Sequence, residues 1–142
     1  MIVPDNSVLV AGFAPAHPFF PQADLVLAEV ERTGRLVAHT IAETFAVLSA
    51  AAGPYPTVPE DVVAYLDPYL DEDPIGLAPA AYQEAVREMS AAGVAGAAVY
   101  DGLIGLAART HDAELVSLDR RAAGTYARLR VRYRLLAGQG SP

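Results

Sequence analysis

Short apolar runs alternate with stretches of helical period along this 142-residue chain. MIVP (1–4) suits a buried strand, and Pro4, which lacks a ladder donor, belongs at its end. Residues 22–33 place Leu25, Ala28 and Glu29 at helical spacing, with Gly34 as the stop. RLVAH (35–39) reads as a second strand. TIAETFAVLSAAA (40–52) reads as a helix in which Thr40 caps, Glu43 follows three residues later, and Ile41, Phe45 and Leu48 share one apolar face. GPYPTVP (53–59) is a loop, followed by a short acidic helix near 60–70. IGLA (75–78) is the next strand, PAAYQEAVREMSAAG (79–93) a helix with proline near its start and glycine at its end, and 99–110 another helix. AELVSL (113–118) and 128–135 are the last strands.

This alternation predicts an α/β fold: a mostly parallel sheet with helices on both faces, a three-layer α/β/α sandwich in a single domain spanning 1–142. Sites in such sheets form at the carboxyl ends of the strands. Asp5 and Asp119 each directly follow an expected strand.

Composition narrows the chemistry. With no cysteine, disulfide frameworks and thiolate metal sites are excluded. The three histidines, His17, His39 and His111, show no zinc-type pairing and read as surface or loop residues. No basic region precedes an apolar stretch at the N-terminus, so no signal peptide is expected. The stretch 89–108 is apolar, but it is rich in alanine and glycine and carries Asp101, which suits a core helix better than a membrane span. A cytoplasmic protein without a membrane partner is therefore expected. Phosphate-loop, dinucleotide and serine-hydrolase motifs are all missing. GVAGAA and GLIG lack the required spacing, and their small residues suit close helix packing.

The net charge of −7 argues against a nucleic-acid partner when taken as a sum. Mapped along the chain it says more. All ten basic residues are arginine, and seven lie at or after Arg109 against three acids; the preceding 108 residues hold three arginines against fourteen acids. An acidic body with a local anion-binding surface is compatible with this pattern. In RLRVRYR (128–134), alternation puts Leu129, Val131 and Tyr133 on one strand face. The arginines of Arg128 to Arg134 then either keep an edge strand soluble or contact RNA or a protein partner.

Four carboxylates remain: Asp5, Glu43, Asp101 and Asp119, at strand ends and helix starts. Each alone would serve as a helix-terminal acid. Together they would repel one another unless a cation neutralised them, and oxygen-only ligands suit Mg²⁺ or Mn²⁺. The acidic stretch from Glu60 to Asp73 lacks Ca²⁺-loop spacing and reads as a solvated surface.

These positions carry a resemblance. DNSVL (5–9), AETF (42–45), GAAVYDGLIGLAA (96–108) and AELVSLDRRA (113–122) follow, in order, the motifs of PIN-domain ribonucleases of the VapC toxin type. The departures are Asn6 where serine or threonine is usual, Pro4 before the first aspartate, and Gly102 and Gly105 in the third motif. The resemblance implies a Mg²⁺- or Mn²⁺-dependent endoribonuclease, the toxin of a type II toxin–antitoxin pair, cleaving RNA phosphodiesters by metal-activated water. Asp5, Glu43, Asp101 and Asp119 would form the catalytic and metal-binding site, with Asn6 and Ser117 in support. Arg120 and Arg121 would be placed to bind RNA. The partners implied are the RNA substrate and a VapB-type antitoxin lying across the acidic groove; a homodimer is compatible with this reading. The alternatives are a PIN-like module that binds RNA or protein without catalysis, and a haloacid-dehalogenase-type phosphatase. The latter expects a second acid where this chain has Ser7.

Overall fold

The computed structural model describes residues 1–136; the last six positions of the expected 1–142 domain lie outside the described residues. Three strands, β1 (Ile2–Pro4), β2 (Glu114–Ser117) and β3 (Tyr133–Leu135), form a parallel sheet in the order β1-β2-β3. Seven α-helices are present among the described residues: α1 (Asn6–Phe13), α2 (Phe20–Thr33), α3 (Ala38–Ser49), α4 (Pro59–Leu66), α5 (Tyr82–Ala91), α6 (Ala98–Thr110) and α7 (Arg120–Arg128).

Strand alternation divides the apolar residues between two cores. Val3 and Leu115 join α5, α6 and α7 through Met89, Ile104, Ala122 and Tyr126. Ile2 and Val116 face the other way, onto α1 to α4 through Leu9, Leu27, Leu48 and Leu66. The result is the three-layer sandwich the sequence pattern implies, with each layer of helices burying one side of the sheet. None of the described helices is long and apolar enough to cross a membrane.

Several local expectations are corrected. RLVAH (35–39) is no strand. Val37 makes one isolated parallel bridge with Ile75, which is also all that IGLA contributes. The Ala38 amide donates to the Ile75 carbonyl at 2.8 Å, so the neighbouring segment satisfies an end amide of α3 and the helix begins two residues before Thr40. Thr40 is therefore not a cap but a buried helix residue. With Thr44 and Leu48 it forms the buried face, one position round from the expected Ile41–Phe45 stripe; Phe45 is exposed. In α2 the buried residues are Ala23, Val26, Leu27 and Val30, and Leu25 faces solvent.

The larger correction lies between residues 120 and 132, where the chain forms α7 and a turn before β3 starts. Arg130 takes a left-handed φ of 55°, and the Val131 and Arg130 amides donate to the Tyr126 and Ala127 carbonyls at 3.0 and 3.1 Å. This double bond pattern closes α7 and returns the chain to the sheet. Leu129 and Val131 are still buried, as the alternation implied, but through a helix end and a turn.

Glycines in α6 set how closely its neighbours approach. A Cβ on Gly102 would collide with Met89 Sδ, and one on Gly105 would lie 3.1 Å from the Tyr126 ring. The low helix propensity of these residues is offset by packing that alanine would obstruct.

Candidate active site

β1 and β2 are hydrogen-bonded neighbours, so their carboxyl ends bring Asp5 and Asp119 to one edge of the sheet. The Asp5 amide donates to the Val116 carbonyl at 2.9 Å while its side chain caps α1. The capping reading of Asp5 is thus correct, and the same position puts its carboxylate at the sheet edge. Asp119 repeats the arrangement at α7, where its Oδ1 accepts from the Arg121 and Ala122 amides at 2.8 and 3.4 Å.

Two serines tie the strand ends together. Ser7 donates from its amide and its hydroxyl to Asp5 Oδ1, and Ser7 Oγ accepts from the Leu118 amide at 2.8 Å. Ser117 is buried, and its Oγ accepts from the Asp119 amide at 3.0 Å. Asn6, the first residue of α1, lines a cleft of about 450 Å³ with Ser7, His17, Asp119 and Arg120.

Asp5 is only 1% exposed. Burial raises its pKa, and the hydrogen bonds from Ser117, Ser7 and Tyr126 pull it back. Asp101, in the first turn of α6, is only partly buried. Its pKa is pushed up to about 6, first by burial and then by the charges of Glu43, Asp5 and Asp119, with Arg121 opposing. Carboxylates from three other segments therefore act on Asp101. Asp101, Asp119, Arg121 and Thr125 line a second cleft of about 200 Å³. Another hollow of about 280 Å³, between Val86, Met89, Val94 and Val99, holds no titratable side chain and is not part of this arrangement.

Among the described residues, no three aspartate, glutamate or histidine side chains stand close enough to form a ready coordination shell. The four acids share an electrostatic field without converging on a single point. Their donor set consists of oxygens, which fits a hard divalent cation, and like charges of this kind are relieved by binding one.

The chain matches no family model. Ribonuclease VapC40 of Mycobacterium tuberculosis, from either of two strains, is 37% identical over 136 residues, covering 96% of this chain and 99% of that protein. Ribonuclease VapC27 of the same organism is 31% identical over 127 residues, 89% of this chain and 90% of its own. This chain belongs to the VapC family of toxin ribonucleases. Membership leaves the phosphatase alternative without support.

In this VapC-family chain, residues outside the expected set also border the acids. His39, read from sequence as a surface or loop residue, lies on α3 with its Nε2 3.2 Å from Glu43 Oε1, and its ring stacks on Tyr100, one residue before Asp101. The most buried addition is Tyr126, whose hydroxyl donates to Asp5 Oδ2 at 2.9 Å. Ala122, Thr125, Tyr126 and Leu129, all buried, mark a helical stripe in the sequence that signals α7 and the inward direction of Tyr126.

Apart from Arg130, which is exposed, the C-terminal arginines separate into two groups. Arg109 forks onto Glu88 at 2.7 and 2.8 Å, Arg132 pairs with Asp112 and Arg134 with Glu114, while Arg128 donates to the Gly93 carbonyl. Arg120 and Arg121 are exposed, make no ion pair among the described residues, and line the two clefts that meet at Asp119.

Proposed function

We propose that this VapC-family chain is a Mg²⁺- or Mn²⁺-dependent endoribonuclease of the cytoplasm, acting on RNA and held inactive by a VapB-type antitoxin. The observation that carries this reading is that pairing of β1 with β2 sets Asp5 and Asp119 at one sheet edge and that Asp119 shares a cleft with Asp101, whose pKa is raised by burial and by Glu43, Asp5 and Asp119. A structural set of helix caps has no need to gather acids from separate segments at one end of the sheet.

Asp5 and Asp101 would hold the cation, Asp119 would complete its surroundings, and Glu43 would orient water at the open side. The cation, when bound, supplies charge for the attacking water and the leaving oxygen of a phosphodiester. The chain's own residues do the rest. Ser7 and Tyr126 hold the plane of the Asp5 carboxylate. The α7 amides hold one oxygen of Asp119, and His39 holds Glu43. Exposed single-stranded loops of structured RNA would suit so recessed a site. Incubation of the purified protein with structured RNA and Mg²⁺, followed by fragment mapping, is expected to show internal cuts. RNA left intact would favour the non-catalytic binding module.

Arg120 and Arg121 are the guanidinium groups beside Asp119 that have no protein ion-pair partner among the described residues. They are placed to receive phosphates flanking the scissile one, where a forked contact orients as well as attracts. Replacing both by alanine is expected to weaken RNA binding by about tenfold and to flatten its salt dependence, because up to about two phosphate contacts are lost. Filter binding across a salt series measures both effects. An unchanged salt slope would return these side chains to a purely solvated role.

A further inference from the structure

We propose that Tyr126 is a positioning residue for the cation site: its hydroxyl fixes the Oδ2 oxygen of Asp5 in the orientation that binding requires. This inference rests on the cation dependence proposed above.

The geometry separates Tyr126 from an ordinary buried tyrosine. Tyr65, in the other core, satisfies its hydroxyl on a backbone carbonyl, that of Leu9, at 2.7 Å. Tyr126 is fully buried and donates instead to a buried carboxylate 121 positions away in the chain. The Ser7 donors occupy Oδ1, and Tyr126 donates to Oδ2. With both oxygens engaged, the carboxylate cannot swing about its terminal torsion. Without the hydroxyl, Oδ2 loses a buried donor and the carboxylate plane is held less tightly.

The ring of Tyr126 is packed on two sides. The ring lies against the Gly105 backbone of α6 and beside Tyr133 of β3, with centroids 5.9 Å apart. The Tyr126 carbonyl takes the Val131 amide at the end of α7. The elements that hold this ring, α6 and α7, are also those that present Asp101 and Asp119. Tyr126 therefore sets Asp5 relative to the other two aspartates. Partners that orient ligands in this way are worth about 10–100-fold in metal affinity when removed.

The test is calorimetric titration of Mn²⁺ into wild type, Tyr126→Phe and Tyr133→Phe, alongside RNA cleavage as a function of Mn²⁺. Tyr126→Phe is expected to raise the Mn²⁺ Kd by about tenfold or more, and to recover most of its cleavage rate once Mn²⁺ is saturating. Tyr133→Phe, which removes a neighbouring hydroxyl that does not touch Asp5, is expected to leave the Kd unchanged. A Tyr126→Phe protein that melts lower yet binds Mn²⁺ like wild type would show a packing role only and overturn the proposal. If wild type binds no Mn²⁺, the cation reading fails, and this inference fails with it. If Tyr126→Phe does not fold, 3-fluorotyrosine at position 126 keeps the hydroxyl and changes only its donor strength. A shifted Kd is then expected, and an unshifted one overturns the assignment.

Discussion

Replacing Asp101 by asparagine is expected to lower RNA cleavage by about 10³-fold or more while raising thermal stability in metal-free buffer. The two effects share one cause. Asp101 carries the charge that Glu43, Asp5 and Asp119 all oppose, so removing it relieves repulsion in the folded protein. Because Asp101 is partly exposed, solvent screens that gain to about 1 kcal/mol, or about 3 °C for a chain of this size. The same substitution removes a charged oxygen ligand. A bound cation contributes several kcal/mol of transition-state stabilisation, and about 4 kcal/mol corresponds to about 10³-fold in rate. Asparagine preserves the shape of the side chain, so circular dichroism should match wild type. Asp24→Asn and Asp112→Asn lie outside the cluster and should cleave at the wild-type rate. A single-turnover assay with parallel melting curves checks all four proteins; full activity in Asp101→Asn would remove that residue from the site.

Withdrawal of divalent metal is expected to abolish cleavage and to cost stability as well. Without a cation Asp101 retains the opposing charges of Glu43, Asp5 and Asp119, and Asp5 remains buried with only hydrogen bonds to favour its charged form. At a Mg²⁺ concentration about 100-fold above Kd, binding to the folded state alone adds about 2.7 kcal/mol, equivalent to roughly 8 °C in Tm. Ca²⁺ should stabilise comparably but support cleavage poorly, because its looser, larger coordination shell positions water less strictly. Scanning calorimetry in Mg²⁺, Ca²⁺ and EDTA separates binding from catalysis. Identical melting curves in all three would count against cation binding.

The placement of the candidate acids was legible because their positions relative to the elements are local features. Asp5 and Asp119 stand immediately after apolar runs that do become β1 and β2, and Asp101 lies in the first turn of a helix that the pattern places within one residue. Parallel pairing of β1 with β2 then brings the first two together. Other features depended on contacts no local pattern carries. The α1 segment NSVLVAGF is apolar nearly all round and shows no polar face to announce a helix. The start of α3 is set by the Ile75 carbonyl, 37 positions away, which overrides the cap that Thr40 suggested. In the 120–135 region two periodicities overlap. The helical stripe ending at Leu129 and the alternation starting there share a residue, and the alternation is the more conspicuous. That overlap hid α7, and with it Tyr126, whose partner Asp5 lies at the opposite end of the chain.

The central claim is that Asp5, Glu43, Asp101 and Asp119 form one cation-dependent site that cuts RNA. Its most direct measurement is cleavage of a structured RNA by the purified protein, followed in one sample as EDTA is added and then exceeded by Mg²⁺. Cleavage should stop with the chelator and resume with the metal at the same internal positions, and the Asp101→Asn protein should stay silent throughout. Undiminished cleavage in EDTA, or resumption by Asp101→Asn equal to wild type, would contradict the account.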